Sequence, residues 1–307
     1  MRFPAPRQQV PPAEKPTAAK QFERKWNSRL SPSVPNLLPG VCGLYQARGS
    51  TGKMCLFTNN QQSCASVESG CVAKLSEISI SPSDRVFILT GAGVSAESGI
   101  PTFRGADGLW RNYRIEEVAS PHAWARDPQL VWEFYSMRRQ VASSARPNPA
   151  HFALAKLEQR LADRLFLCTQ NVDNLHEQAG SKNVIHMHGE LFKSRCDSCP
   201  RPPFDDAHLY EPPAELPRCA CGGGIRPHIC WFGEVPFELE RIIRALDACT
   251  IFMAIGTSGV VEPAASFVAH VRARAKTIYV GPEEPANASA FTQCYLEKAG
   301  EILPQLF

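Results

Sequence analysis

Three groups of residues in this 307-residue chain have types and spacings that could do chemistry. The first is Cys196-x-x-Cys199 with Cys219-x-Cys221, two close pairs separated by 19 residues. Four soft thiolates so arranged suit tetrahedral zinc, and four protein ligands leave no open position for a substrate, so the metal would be structural. The second is Gly91-Ala92-Gly93-Val94-Ser95-Ala96, where two glycines would let backbone N–H groups approach a pyrophosphate at a helix N-terminus. A tight strand-to-helix turn without a ligand explains those six residues equally well. The continuation to Phe103-Arg104-Gly105, however, places a ring and a guanidinium directly after the turn. The third is Tyr135-Ser136-Met137-Arg138, in a helix-compatible stretch whose spacing of three puts Tyr135 and Arg138 on one face. A phenol and a guanidinium fork can together hold one carboxylate. From spacing alone, an ordinary surface pair is the commoner meaning.

Positioning these groups requires a scaffold, and the hydrophobic pattern supplies one. Val86-Phe87-Ile88-Leu89 is a continuous apolar run ending in the glycine turn, as in a parallel strand buried on both faces. Leu165-Phe166-Leu167-Cys168 and Ile251-Phe252-Met253-Ala254-Ile255 follow helix-like stretches near 154–162 and 238–246, and Ile278-Tyr279-Val280 follows another near 264–274. Alternating helix and strand implies an α/β fold with a Rossmann-like parallel sheet. Cysteines, prolines and glycines interrupt the rhythm at 190–229. The expected organisation is a large Rossmann-like part (about 73–103, 151–189 and 230–307) and a smaller domain made of a helical insertion (about 104–150) and a zinc-binding insertion (190–229). Residues 1–72, with eight prolines in the first 40, are expected to be a disordered extension.

Composition removes several function classes. No apolar run approaches the roughly 18 residues of a membrane span. Residues 1–72 carry nine Lys/Arg against three Asp/Glu, leaving 24 against 27 for the rest, so the folded part has no basic excess for nucleic acid. Twelve cysteines without an opening signal-peptide pattern fit a reducing compartment better than a disulfide framework. A cytoplasmic location is expected, or a mitochondrial one in a eukaryotic source. The oligomeric state is left open, a monomer being compatible with everything above.

Gly91 to Gly105 reads without a mismatch as the signature GAGxSxxSGIPxFRG, and so resembles the sirtuin family. Thr169-Gln170-Asn171-Val172-Asp173, His186-Met187-His188-Gly189, Trp231-Phe232-Gly233-Glu234 and Gly256-Thr257-Ser258 resemble further sirtuin motifs in family order, across residues 85–307. Tyr135 and Arg138 stand where the class III branch, including bacterial and desuccinylase or demalonylase sirtuins, reads an acidic acyl tail, and Ala119 matches a small residue that widens that pocket.

The resemblance implies a protein-lysine deacylase that consumes NAD as co-substrate, removes succinyl, malonyl and acetyl groups, and releases nicotinamide and O-acyl-ADP-ribose. Its alternatives are a general deacetylase or a mono-ADP-ribosyltransferase. It further implies that His188 is the general base; by composition, a histidine beside glycine is more often a satisfied loop residue, but a group titrating near neutrality is what the reaction requires. His186 is expected to face the opposite side and to be structural. Asn171 and Asp173 would hold the nicotinamide end; Gly91, Ala92, Gly93, Phe103, Arg104 and Gln170 the ribose and phosphates. Glu97, Gly256, Thr257, Ser258 and Ala299 complete the expected cofactor contacts. Acyl-lysine in a protein or peptide would lie against Trp231, Phe232, Gly233, Glu234, Gly259 and Val260, with one structural zinc on the four cysteines. The chain departs from the family at Gly281, where an asparagine is common, at Glu297-Lys298, and in the second cysteine pair, which is one residue shorter than usual.

Overall fold

The computed structural model describes residues 78–102, 109–110, 113–211 and 215–307. The expected disordered extension at 1–72, and Phe103 and Arg104, lie outside the described residues. Strand β1 (Val86–Thr90) leads through Gly91 into helix α1 (Ala92–Ala96), and helix α2 (Pro128–Ser144) is followed by α3 (Pro149–Leu161). Then come β2 (Leu165–Thr169), β3 (Val184–His186), β4 (Gly189–Cys196) and β5 (Ile225–Ile229). Helix α4 (Leu239–Ala248), β6 (Ile251–Ile255), β7 (Lys276–Val280), β8 (Gln293–Tyr295) and α5 (Ala299–Leu306) complete the chain.

Six strands form a parallel sheet in the order β8-β7-β6-β1-β2-β3. Every residue of β1 and β6 is buried, so these strands are apolar throughout rather than alternating. Phe87 and Leu89 join one face with Phe252, Phe267, Ile242 and Leu246; Val86 and Ile88 join the other with Leu154, Leu157, Ile302 and Leu303. Each such side chain, fully buried, contributes about 1.5–3 kcal/mol. Helix α3 starts where Asn148 accepts the Ala150 N–H at 3.0 Å and Pro149 supplies the first turn. The Asn148 amide also donates to the Val94 carbonyl, tying that helix to the glycine turn.

A second unit stands beside this sheet. Strands β4 and β5 pair antiparallel, Phe204–Asp205 adds a short third strand, and α2 packs on them through Val131, Trp132, Tyr135, Leu191 and Ile225. Arg139 of α2 is fully buried. It donates to the carbonyls of Leu191 (2.8 Å) and His208 (2.7 Å) and to Ser194 Oγ, and pairs with Asp206. Two elements differ from the sequence expectation. The stretch near 264–274 is a 3-10 turn, Ala264–Ser266, with the short helix Phe267–Val271. Strand β8, three residues long, has no readable period.

The register sets one row of strand ends: Thr90 lies opposite Thr169 and Ile255, Thr169 opposite His186, and Ile255 opposite Val280. The loops that follow these strands therefore emerge side by side. Gly256 has φ +60, and a Cβ there would come within 2.5 Å of the Val94 nitrogen and 2.8 Å of the Gly93 carbonyl carbon. Gly256→Ala is expected to lose about 2 kcal/mol or more through left-handed strain and this clash. A urea midpoint equal to that of the unaltered protein would contradict the close crossing.

Candidate active site

The crossing at Gly256 is the geometric origin of the site. The Gly91 N–H donates to the Ile255 carbonyl at 2.9 Å and the Gly93 N–H to the Gly256 carbonyl at 2.8 Å. A Cβ on either residue would lie 2.8 Å from the Gly256 carbonyl oxygen. Both glycines are thus required by a neighbouring backbone, a constraint the sequence could not distinguish from close approach to a phosphate. The two loops diverge from adjacent strands at the point where the strand order reverses, which is where open α/β sheets form their crevice.

The loop after β2 builds the crevice wall. Asn171 Nδ2 donates to the Gly91 carbonyl and to Ser95 Oγ, both at 3.0 Å, and the Ser95 hydroxyl donates to Asp173 Oδ2 at 3.0 Å. Because a carbonyl only accepts, this fixes the amide orientation and directs Asn171 Oδ1 to accept from elsewhere. Asp173 also accepts the Leu175 N–H, and burial raises its carboxyl above the usual range against these hydrogen bonds. Gln170 Nε2 donates to Thr257 Oγ1 at 3.1 Å, linking this loop to Gly256-Thr257-Ser258.

His188 stands at the end of the same row. Its Nδ1 lies 3.1 Å from the Gln170 carbonyl, so Nδ1 carries the proton and Nε2 carries the basic lone pair. Burial lowers its pKa, partly opposed by the Gln170 carbonyl, which keeps the ring neutral at pH 7. Gly189 has φ +88, and a Cβ there would collide with the His228 carbonyl, so the histidine must be followed by glycine. His186 Nδ1 reaches the carbonyl next to the one that holds His188, Asn171, at 3.0 Å, so both rings hang on one loop. His186 nonetheless serves the structure: burial lowers its pKa, but the hydrogen bond at 2.8 Å and the charge of Glu177 outweigh that and raise it.

Tyr135 and Arg138 are side by side and buried, and are not the surface pair that spacing alone favours. They are 1 % and 9 % exposed, with the guanidinium carbon 5.7 Å from the Tyr135 ring centre. Arg138 and Asp173 line one cavity with Ile100, Pro101, Val141 and Leu191. Trp231-Phe232-Gly233-Glu234 divides in two. Trp231 is buried and donates to Tyr135 Oη at 3.0 Å, while Phe232 is 56 % exposed and its N–H donates to the Ala119 carbonyl. Glu234 receives Arg226 at 2.7 Å, Arg195 at 3.3 Å and the Trp231 N–H at 2.8 Å. Gly259 turns with φ +68, and Val260 beyond it is exposed.

Other expected contacts are placed less openly. Glu97 accepts the Gly300 N–H at 3.0 Å and so anchors α5, while the Ala299 side chain is in the core. At Gly281, where the family has asparagine, a Cβ would strike the Tyr279 hydroxyl, which donates to the Glu283 carbonyl. The folded-back phenol explains the glycine. Nothing in the sequence signalled Arg139, Arg226 or the Trp231–Tyr135 contact, because each joins segments 50 or more residues apart or lies outside a recognisable motif.

The four cysteine sulfurs lie within 4.8 Å of one another, with Cys196 and Cys221 at 3.5 Å and Cys199 and Cys219 at 3.8 Å. A tetrahedral site with Zn–S near 2.3 Å needs sulfurs about 3.8 Å apart, so the donors fit. The short second pair closes because Gly222 adopts φ +89 directly after it. Purified protein should carry about one zinc per chain, and Cys196→Ser should remove it and lower the melting temperature, since such an insertion depends on its ion to fold. Elemental analysis without zinc would contradict this assignment.

Comparison with known proteins agrees with this geometry. The Sir2 family matches residues 91–263. An NAD-dependent protein deacylase of Caulobacter vibrioides is 51% identical over 224 residues, covering 72% of this chain and 94% of the relative. One from Escherichia coli is 47% identical over 232 residues, covering 72% and 80%. A Sir2 homologue solved with ADP-ribose superposes with a TM-score of 0.67 at 44% identity, covering 73% of this chain and 91% of that one. A Sir2 protein solved with a deacetylated peptide and 3'-O-acetyl ADP-ribose has a TM-score of 0.63 at 30% identity, covering 72% and 91%. The glycine crossing, the loop that holds His188 and the cysteine insertion are those of a sirtuin, and this chain belongs to the Sir2 family.

Proposed function

We propose that the chain is an NAD-consuming protein-lysine deacylase that prefers acidic acyl groups such as succinyl and malonyl over acetyl. The observation that carries the acyl preference is the buried Arg138 in the cavity it lines with Asp173, with the buried Tyr135 beside its guanidinium. A buried guanidinium is costly to keep charged, and a carboxylate-tipped acyl group entering that cavity would offset the cost with charge-assisted hydrogen bonds. Acetyl-lysine brings no such partner. The relatives' deacylase activity supports the broader reading.

In this reading NAD, when bound, would supply the ribosyl carbon that the acyl oxygen attacks as nicotinamide leaves, and the ribose hydroxyl that finally carries the acyl group. Asn171 Oδ1 accepts from the nicotinamide amide, and Asp173 holds Ser95 and thereby Asn171 in place. Ala92, Gln170 and the Gly256-Thr257-Ser258 loop would shape the ribose and phosphate end, with Phe103 and Arg104 added by the sequence resemblance. His188 takes a proton from a ribose hydroxyl through Nε2, because its Nδ1 is committed to Gln170. The substrate backbone adds as a strand between the segment at 230–234 and Gly259-Val260-Val261, where Phe232 and Val260 are exposed. Among the described residues no helix is long and apolar enough to cross a membrane; the likeness to bacterial deacylases supports a cytoplasmic location.

Peptides bearing succinyl-, malonyl-, glutaryl- and acetyl-lysine, assayed with NAD by mass spectrometry, test the proposal directly. His188→Ala should lower turnover of every acyl group about 10²–10⁴-fold without loss of fold. The base works when neutral and its pKa is lowered, so the acid limb of kcat/KM should fall below the ordinary histidine value of about 6.5. A midpoint above 7 would assign the limb to another group. Arg138→Met should reduce kcat/KM for succinyl-lysine roughly 10- to 150-fold, from about 1.5–3 kcal/mol, and leave acetyl-lysine much less affected. Equal losses on both would make the protein a general deacetylase.

A further inference from the structure

We propose that Trp231 is a specificity-determining positioning residue: its indole N–H donates to the Tyr135 oxygen and so turns the phenol to present its own proton to an acyl tail. The inference rests on the acidic-acyl reading and adds to it a residue that need not touch the substrate.

The geometry is direct. Trp231 Nε1 lies 3.0 Å from Tyr135 Oη, and an indole nitrogen only donates. Arg138 lies beside the same phenol, its guanidinium carbon 5.7 Å from the ring centre. The indole N–H takes one lone pair of the hydroxyl and leaves its proton to point away from the indole. Arg138 is itself donor-only, and Asp173 is the acceptor of the same cavity. A phenol proton and a guanidinium presented together favour a carboxylate over a carboxamide.

The indole is held for this purpose from below. The Arg226 guanidinium stacks on the Trp231 ring at 3.2 Å from its centre and is locked by two bonds to Glu234, at 2.7 and 3.0 Å. Glu234 closes the loop by accepting the Trp231 N–H at 2.8 Å. Trp124 also packs against Trp231, at 6.0 Å between ring centres, and its own indole donates to Asp197 at 3.0 Å, inside the first cysteine pair. Trp231 and Tyr135 are 2 % and 1 % exposed, so solvent does not compete for the contact. Strand β5 of the cysteine insertion thus reaches the phenol of helix α2 through Arg226, Glu234 and Trp231.

The test is a double-mutant cycle on the full chain, reading kcat/KM for succinyl-lysine relative to acetyl-lysine. Trp231→Phe should lower that ratio roughly tenfold, mainly through KM for the succinyl peptide. In the Tyr135→Phe background the same substitution should change the ratio less than twofold, since it acts through the lost hydroxyl. The protein should also relax toward a carboxamide-tipped acyl-lysine. Incorporating 3-benzothienylalanine at position 231, which keeps the bicycle and removes the N–H, covers the case in which Trp231→Phe does not fold. An unchanged ratio with benzothienylalanine, or additive effects in the cycle, overturns the proposal. If Tyr135→Phe and Arg138→Met themselves leave the ratio unchanged, the acidic-acyl reading has failed instead.

Discussion

At the middle of the sheet the backbones of two loops run past each other in contact. Gly91 and Gly93, after β1, lie against Gly256, after β6, at separations where a single added methyl group would occupy another residue's carbonyl. That crossing holds the turn after β1 down on the sheet, and the rest of the site is assembled on it. Asn171 takes its orientation from the Gly91 carbonyl, Asp173 from Ser95 on the following turn, and Gln170 reaches across to Thr257. His188 hangs from Gln170. Each polar group thus inherits its direction from a backbone atom of the crossing or from a neighbour one bond away, and little freedom remains for a ligand to reorganise.

The second unit is held by charge inside apolar surroundings. Arg139 and Arg226 are both buried, and both use planar guanidinium groups to gather several acceptors at once. Arg139 joins α2 to β4 and to the loop at 206–208, and Arg226 joins β5 to the loop carrying Trp231. Lysine could not replace either, because one ammonium cannot span that fork of carbonyl and carboxylate oxygens. Arg138, next to Arg139 on the same helix, faces the cavity instead. Two adjacent arginines with different tasks follow from the helix itself, which turns successive side chains by about 100°.

Zinc and glycine have related roles in this architecture. The cysteine insertion has few apolar residues of its own, and its sulfurs converge because Gly222 permits a tight turn after a short pair. The same insertion supplies Asp197 to Trp124 and Arg226 to Trp231. The cysteine cluster and the helix that carries Tyr135 and Arg138 are therefore linked through packed aromatic rings.

The sequence by itself determined what local physics controls. Continuous apolar runs marked β1, β2 and β6, the cysteine spacing marked a metal site, and contiguous motifs marked the loops at Gly91, Gln170, His188 and Gly256. Strand register then required those loops to share one edge. What the sequence could not carry was any contact made between distant segments. Arg139 and Arg226 read as ordinary charges until burial showed them gathering carbonyl and carboxylate oxygens, and the partners of His186, Asn171 and Glu177, come from another segment. Glu97 and Glu234 lie in motifs that look ligand-facing, yet their carboxylates hold Gly300 and Arg226. A motif fixes which residue stands at a position, whereas the partner of its side chain depends on which other element folds against it. For Tyr135 that partner is an indole 96 residues away, and tertiary packing alone decided that its oxygen accepts from Trp231.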